Sequence, residues 1–335
     1  MGQFLQNARS YTVAEDDDGQ RLDRWLKKQL PKTPYALLQK MLRTGQVRVD
    51  GKRAKAEQRL AQGQVVRVPP AEDKENAPAF ASQKGDADLV RNMVLYDDGD
   101  LIVLNKPYGL AVQGGPNIRR HIDGLLEHLT DKKGRKPRLA HRLDRDTSGI
   151  LLCARSLSLT QRLGKMFEGR TLRKYYQALV FPGPSQYKGV ISAPLVKGTG
   201  SRKEMMIIDE VEGKESITWF HVADSAAGQA ASVVFWPRTG RTHQIRVHSS
   251  EVLGCPIIGD EKYGGLSDAL DDFALSGRLH LHAARLELPH PSGNGQMLVF
   301  NAPLPPELLK SWKAFGFSAK LPADVFEDYK SYTTA

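Results

Sequence analysis

The chain has 335 residues, of which 40% are hydrophobic and 26% charged, and its formal net charge is +10 at pH 7. This composition is ordinary for a globular protein with more than one domain. No apolar run approaches the ~18 residues that a membrane span requires, and the first residues lack the apolar core of a secretion signal. Two cysteines, Cys153 and Cys255, exclude a disulfide framework and a four-cysteine zinc site, so the sequence predicts a protein of the reducing cytoplasm.

The positive charge is concentrated near the start of the chain. Between Gly19 and Pro70 there are 13 basic residues and three acidic ones, which account for the whole net charge. Such an asymmetry indicates a module that binds a polyanion, although a merely solvated basic face gives the same count.

The same segment has the pattern of a compact module with two helices and a hairpin. Arg21–Gln29 places its apolar residues on one helical stripe, and Thr33 and Pro34 are typical of the start of a second helix that ends at Gly45. Gln46–Val49 alternates like a strand and is followed by the turn pair Asp50-Gly51.

This arrangement resembles the alpha-L RNA-binding module. The matching positions are Arg21-Leu22-Asp23, Leu42, Gly45, Val47, Val49 and Gly51. The resemblance implies RNA contacts from the basic residues of the module, and the candidates are Arg21, Arg24, Lys40, Arg43, Arg48, Lys52 and Arg53.

Changes in composition along the sequence divide the whole chain into five regions. We expect an N-terminal extension over 1–18, the RNA-binding module over 19–70, a linker over 71–92, a catalytic domain over 93–310 and a C-terminal tail over 311–335. In the catalytic domain, predicted strands outnumber helices and lack regular helical crossovers, which predicts an α+β fold with a mainly antiparallel sheet and peripheral helices. The predicted strands are Leu101–Leu104, Gly149–Ala154, Tyr175–Phe181, Ala231–Trp236, Leu279–Leu288 and Met297–Phe300, and the predicted helices are Leu157–Glu168 and Thr242–Val252.

Four segments of this domain are dense in polar side chains: Asn105–Val112, His141–Leu152, Arg173–Val180 and Thr239–His248. Together, and in this order, they resemble the RluA/RluC/RluD-type family of pseudouridine synthases, which isomerise uridine in structured RNA. With the alpha-L module in front, the resemblance favours the members that act on large-subunit ribosomal RNA. It implies an isomerase that requires no metal and no cofactor.

The resemblance assigns Asp144 as the catalytic carboxylate, Arg241 as the cation that keeps it charged, and Tyr176 as the active-site tyrosine. Asp144 acts either as a nucleophile or as the base that removes the ribose 2′ proton; an ion-paired loop residue is the structural alternative. Because side chains alternate along a strand, Tyr175 is expected to pack in the core on the other face.

The nucleotide must leave its stack to react, at a cost of a few kcal/mol. The resemblance suggests that Arg142 fills the gap, but a phosphate contact or an ion pair with Asp144 suits it equally. Lys106 is expected at the rim of the site in contact with phosphate, unless it is a solvated turn residue. His243 and His248 lack the spacing of a metal site and are interpreted as structural.

Ribosomal RNA is therefore the expected partner of a monomeric protein that needs no membrane and no protein partner. Transfer RNA is the alternative substrate. A non-catalytic assembly factor would lack the combination of Asp144, Tyr176 and Arg241, and a hydrolase built on Asp144 and His141 would lack a paired serine or cysteine nucleophile.

Overall fold

The computed structural model describes residues 9–31, 33, 35–69, 83–115, 118–226, 229–264, 270, 275–293, 295–322 and 325–327. The chain divides into two compact units, residues 1–81 and 82–335. Residues 1–8 of the expected extension, 71–82 of the expected linker and 328–335 of the expected tail lie outside the described residues.

The N-terminal unit has the predicted helices and hairpin. Its elements are β1 (Arg9–Thr12), α1 (Leu22–Gln29), α2 (Tyr35–Arg43), β2 (Arg48–Val49), β3 (Lys52–Arg53) and β4 (Val65–Val68). The strands form one sheet in the order β1-β4-β2-β3. Trp25 lies in the core of this unit, and its indole N–H donates to the Asp17 carboxylate over 3.0 Å.

The predicted boundary between an N-terminal extension (1–18) and the RNA-binding module (19–70) is partly wrong, because β1 belongs to the sheet of this unit. It pairs antiparallel with β4, from Arg9 opposite Val68 to Thr12 opposite Val65. This four-residue strand is mostly exposed and therefore lacks the apolar alternation by which strands are recognised.

The second unit is built on a mixed, mainly antiparallel sheet, which confirms the α+β prediction. Its strands are β5 (Val94–Asp97), β6 (Leu101–Lys106), β7 (Arg138–Leu139), β8 (Ser148–Ala154), β9 (Arg173–Val180), β10 (Lys188–Ser192), β11 (Leu195–Lys197), β12 (Met206–Ile208), β13 (Ile217–Ala226), β14 (Ala230–Pro237), β15 (Leu281–Pro289) and β16 (Met297–Asn301). The large sheet has the order β10-β13-β14-β9-β15-β8-β6-β5, with β16 beside β15 and β7 beside β8, while β11 and β12 form a separate pair.

Helices accompany this sheet in the described part of the unit. They are α3 (Asp86–Asn92), α4 (Ile122–Leu125), α5 (Leu157–Glu168), α6 (Gln244–Val247), which continues into a π-helical turn over His248–Val252, and α7 (Pro306–Ala314). The bounds of α5 agree with the prediction, and its N-cap, Ser156, accepts a hydrogen bond from the Leu159 amide. Among the described residues, no helix has the length and apolar character to cross a membrane.

Two predicted boundaries of the second unit differ from the structure. Helix α3 lies inside the expected linker. The expected tail is partly core: the buried Trp312 donates to Ser232 Oγ over 3.0 Å, and the Phe326 ring stacks on Tyr175 with centroids 5.7 Å apart. Both segments are short and bury only part of their surface, so composition alone does not separate them from a linker or tail.

One parallel pairing joins the segment that carries Asp144 to the rest of the sheet. Strands β8 and β15 pair through Ser148 and Gly149 opposite His282 and Ala283. Gly149 has φ +112°, and a Cβ there would lie 2.3 Å from the Ala283 carbonyl oxygen. Glycine is therefore required at the end of the Thr-Ser-Gly sequence, because no side chain fits between the two strands.

Candidate active site

A cavity of about 360 Å³ brings the predicted catalytic residues together. Its walls come from the loop before β8, from β9 and from the segment that joins β14 to α6. Asp144, Tyr176, Arg241 and Arg142 all line it. Segments that are far apart in the chain therefore meet at one site, as the sequence motifs predict.

Asp144 lies on a loop that is fixed through its main chain. Its carbonyl accepts a hydrogen bond from the Thr147 amide over 3.2 Å, and the carbonyl of Arg145 accepts one from the Gly109 amide over 3.0 Å. The Asp144 side chain is half-buried, and no donor among the described residues is hydrogen-bonded to its carboxylate. The loop therefore holds the backbone while the carboxylate oxygens stay available to a ligand.

Lys106 is not at the rim of the site, so the predicted phosphate contact is wrong. The residue is fully buried, and its ammonium group donates to the carbonyls of Pro107, Leu110 and Arg145, each over 2.9 Å. Burial lowers the pKa of Lys106 to about 7, although Asp146 and Asp144 oppose that shift. Its three N–H groups instead tie the Asn105–Leu110 turn to the loop that carries Asp144.

Arg246 is a second arginine of the cavity, and it is the buried one. Arg246 is buried, and it donates to Asp260 through two hydrogen bonds of 2.7 and 2.6 Å. Burial opposes its charge, yet the hydrogen bonds to Asp260 and the nearby Asp144 carboxylate together raise the pKa of Arg246. A planar, fixed guanidinium beside a carboxylate is the arrangement that keeps an acid ionised in a partly dry site.

Arg241 has a different place. It is exposed at the mouth of the cavity, and its Nε donates to the Glu215 carbonyl over 3.2 Å. Both arginines belong to the string Gly-Arg-Thr-His-Gln-Ile-Arg, and the family resemblance assigns the catalytic role to the first of them. The signal that distinguishes them is the short helix α6, which directs its arginine inward to Asp260.

Tyr176 lies on β9 with its ring at the cavity, while Tyr175 faces the other side of the sheet. Tyr175 packs in an aromatic cluster with Trp219, Trp236 and Phe326, which confirms the predicted alternation. Burial, followed by the charge of Asp144, raises the pKa of Tyr176. Its phenol is thus protonated at neutral pH and can donate a hydrogen bond from the edge of an apolar ring.

The histidines near the site have structural partners. His248 is buried, with Nδ1 2.9 Å from Thr218 Oγ1 and Nε2 3.0 Å from the Ala193 carbonyl, as expected of a structural residue. His243 lines the cavity, and its Nδ1 lies 2.8 Å from the Tyr263 hydroxyl. His141 accepts the Leu152 amide over 2.9 Å, and burial lowers its pKa to about 3, so it is unsuited to act as the base of a hydrolase.

Two further predictions concern ligands. Within the described ranges, no group of three histidine, cysteine or carboxylate side chains is placed to hold a metal ion. Arg142 is exposed beside the cavity, in a position open to RNA, and its role in the gap left by a nucleotide stays a prediction.

The cations of the N-terminal unit are mostly exposed. Arg21 is the exception, because it is half-buried and its guanidinium donates to the buried Asp23 over 2.8 Å. It therefore braces the start of α1, and only part of it can face a ligand. The remaining six are solvent-exposed: Arg24, Lys40, Arg43, Arg48, Lys52 and Arg53.

Comparison with known proteins gives the same division of the chain. A family model described as "RNA pseudouridylate synthase" matches residues 100–251, and an S4 domain model matches residues 20–66. The chain is 39% identical to the ribosomal large subunit pseudouridine synthase C of Vibrio vulnificus (strain CMCP6), over 92% of this chain and 97% of that protein.

A protein of the same name from Haemophilus influenzae is also 39% identical, over 88% of this chain and 90% of its own. Among solved structures, human RNA pseudouridylate synthase domain containing 4 superposes with a TM-score of 0.59 at 29% identity, over 69% of this chain and 97% of that chain.

Proposed function

Because this chain belongs to the RNA pseudouridylate synthase family, and is thus an isomerase that acts on RNA, we propose that it converts uridines of large-subunit ribosomal RNA to pseudouridine in the Asp144 cavity. The observation that carries the proposal is the convergence of Asp144, Tyr176 and Arg246 on one cavity. The names of the similar proteins favour ribosomal over transfer RNA.

The reaction rearranges the uridine without adding or removing atoms. The bond from ribose C1′ to uracil N1 breaks, the base turns, and a new bond joins C1′ to C5. The proton on C5 leaves and N1 acquires one. Asp144 acts on the ribose, either as a nucleophile at C1′ or as the base that removes the 2′ proton, and both roles require its ionised form.

Arg246 keeps the Asp144 carboxylate charged while the uridine excludes water from the site. Asp260 sets the orientation of the Arg246 side chain, because its carboxylate accepts hydrogen bonds from two nitrogens of the guanidinium group. Tyr176 offers an aromatic ring against which the uracil can stack, which holds the base in the cavity as it turns. Glu168 also lines the cavity, but it is exposed, so Asp144 is the carboxylate better suited to act on a substrate that excludes water.

The uridine reaches this cavity by flipping out of its helix. A cavity of about 360 Å³ has room for a single extruded nucleotide and not for a stacked duplex. We expect Arg142, which is exposed beside the cavity, to take the space that the base vacates. The basic N-terminal unit would add a second, sequence-independent contact with the RNA backbone.

The test is to map pseudouridines in ribosomal and transfer RNA of cells that lack this protein and to rescue them with variants. Wild type should restore sites in large-subunit ribosomal RNA, and Asp144→Asn should restore none. Asp146→Asn is the matched control, because Asp146 lies two residues away and pairs with Arg145 at the surface. Rescue by Asp144→Asn would overturn the assignment of Asp144 as the catalytic residue. If the restored sites were confined to transfer RNA, the proposal that ribosomal RNA is the substrate would be wrong.

Membership of this enzyme family argues against the alternative of a non-catalytic assembly factor, and any pseudouridine that depends on Asp144 would exclude it. Cytoplasmic location and a monomeric state stay predictions from the sequence.

A further inference from the structure

A second cavity, of about 160 Å³, lies in the catalytic unit outside the candidate active site. We call it the arginine–tryptophan cavity, because Arg170, Arg173, Arg238, Trp219, Trp236 and Phe326 line it. None of these side chains takes part in the chemistry described above.

Arg238 is the central cation of this cavity. Its guanidinium carbon lies 4.5 Å from the ring centroid of Trp236 and 5.0 Å from that of Trp219. Contact with both indoles restricts the orientation of the guanidinium group.

Arg238 has no anionic partner of its own in the described part of the chain. Arg170 pairs with Glu215, and Arg173 lies 3.6 Å from Glu287, whereas no carboxylate of the described residues forms an ion pair with Arg238. Glu327 lines the cavity but is exposed and forms no ion pair with these arginines within that part of the structure. Burial lowers the pKa of Arg238, and the charges of Arg170 and Arg173 lower it further, so an anion bound here would relieve an existing repulsion.

A second, independent feature of the wall also lacks a partner. The indole N–H of Trp236 is buried and has no hydrogen-bond acceptor among the described residues. Buried donors are nearly always paired in folded proteins, and the Trp236 ring lies 4.5 Å from the guanidinium carbon of Arg238 and 5.7 Å from that of Arg173. The unpaired donor therefore indicates an acceptor that the described part of the chain does not supply.

The position of the cavity relates it to the active site. Strands β9 and β14 are antiparallel, with Tyr176 opposite Phe235, and the same register continued places Arg173 level with Arg238. Alternation puts Arg173 on the face opposite Tyr176, about 10 Å along the strand at ~3.3 Å per residue. The two cavities therefore lie on opposite faces of the same end of these strands.

We propose that the arginine–tryptophan cavity binds a backbone phosphate of the RNA substrate, a short distance along the strand from the uridine held at Asp144. Guanidinium groups in a fixed fork suit phosphate oxygens, and the indole N–H adds a neutral donor. An RNA strand that crosses the end of β9 and β14 can place a base in one cavity and a phosphate in the other. The inference rests on the proposed function, because it takes the substrate to be RNA.

The test uses the full chain and a large-subunit ribosomal RNA transcript, and it measures binding against salt concentration together with turnover. Arg238→Gln should raise Kd and KM about tenfold, since one charge-assisted hydrogen bond to phosphate is removed. It should lower the slope of log K against log salt by about 0.7, the value for one phosphate of a single strand. The rate constant at saturating RNA should stay at the wild-type value, because Arg238 does not line the catalytic cavity.

Two further variants keep the result interpretable. Arg91→Gln removes the same charge from an exposed helical arginine that pairs only weakly with Asp88, and it should leave the salt slope nearly unchanged. If Arg238→Gln fails to fold, Arg173→Gln at the exposed rim should give the same effect on binding, since Glu287 keeps Arg285 as a partner at 2.9 Å.

An unchanged salt slope and KM in an enzyme that still makes pseudouridine would overturn the phosphate site and leave the proposed function standing. Tighter RNA binding by Arg238→Gln would also overturn it, because the guanidinium would then oppose binding. A wild-type protein that modifies no RNA would instead overturn the proposed function, and the phosphate site with it.

Discussion

Arg246 and Arg241 belong to one motif, but Arg246 is buried and held by Asp260, and its charge interacts with that of Asp144. Replacing Arg246 with Gln removes the cation from the carboxylate, and we expect kcat to fall about 100-fold, the usual scale for one electrostatic interaction at a reacting centre. Arg241→Gln should leave kcat near the wild-type value, because its guanidinium is exposed at the cavity mouth. Single-turnover rates on one RNA transcript would measure both.

The stability of the variant must be measured as well, because Arg246→Gln leaves the buried Asp260 without its partner. We expect this loss to lower the free energy of unfolding by about 3–5 kcal/mol. The double variant Arg246→Gln with Asp260→Asn removes both charges and should recover much of that stability without recovering activity. An equal fall of kcat in Arg241→Gln would contradict the assignment from the structure and restore the one favoured by the sequence.

At the residue scale, the sequence motifs correctly predict which segments line the cavity. They predict the contacts of individual side chains in the cavity less well. Asp144 and Tyr176 reach the cavity because motif position and strand alternation fix them. Lys106 was misplaced because an ammonium that satisfies three carbonyls in the core cannot be distinguished in sequence from a solvated one. The sequence does not show that Arg246 is buried against Asp260 while Arg241 is exposed, because that difference depends on a contact with a distant residue.

At the scale of the elements, the pairing of β8 with β15 restricts the sequence, because Gly149 cannot be replaced there without a clash. Gly149→Ala places a methyl group against the Ala283 main chain in a backbone conformation that L-residues rarely adopt. We expect the free energy of unfolding to fall by roughly 3 kcal/mol, from overpacking and backbone strain together. Chemical denaturation followed by tryptophan fluorescence would measure it.

Gly164→Ala provides the control within the same domain. Gly164 lies inside helix α5, and nothing lies within 4 Å of an added Cβ. Because alanine favours a helix, this change should stabilise the protein by up to about 1 kcal/mol. Equal effects of the two substitutions would show that the β8–β15 junction tolerates a side chain.

The elements predicted correctly are those with strong patterns. Helix α5 has a capping serine and an amphipathic face, and β8 is apolar at nearly every position. Strands β1 and β10 and helix α3 are short and partly exposed, so their apolar residues do not exceed what a loop contains. Helix α7 extends into the expected tail because its burial depends on Trp312 finding Ser232, a contact between segments far apart in the chain.

For the molecule as a whole, two buried histidines predict acid sensitivity. In each ring one nitrogen faces a carbonyl and the other a serine hydroxyl, Ile258 and Ser311 for His280, and Ala302 and Ser148 for His282. That pairing suits a neutral imidazole, and burial lowers the pKa of both to about 4.

The sign follows from proton uptake. Between pH 6.5 and 4 the unfolded chain binds protons that these folded histidines do not, so stability falls as the pH drops. Each histidine should lower the free energy of unfolding by about 2 kcal/mol between pH 6.5 and 5. His282→Gln should make the free energy of unfolding less dependent on pH in this range, because it removes one of the two titrating rings. A pH-independent unfolding midpoint in wild type would contradict the prediction.

The N-terminal unit should act as a separate contact with RNA. Removing residues 1–81 leaves the catalytic unit whole, because the chain divides there. We expect weaker binding to ribosomal RNA and a salt slope lower by about 0.7–0.9 for each phosphate that the unit neutralises in the full chain. Filter binding at several salt concentrations would measure it, and an unchanged slope would show that the exposed cations of this unit do not touch RNA.

The place of β15 in the sheet has a consequence for how the enzyme is made. Asp144 precedes β8 and Tyr176 lies on β9, and these two strands are joined in the sheet through β15, which begins at Leu281. We expect a nascent chain still attached to the ribosome to hold Asp144 and Tyr176 on two separate groups of strands until β15 has emerged. Catalytic competence should therefore arise late and abruptly during synthesis, and chains that stop before β15 should be inert.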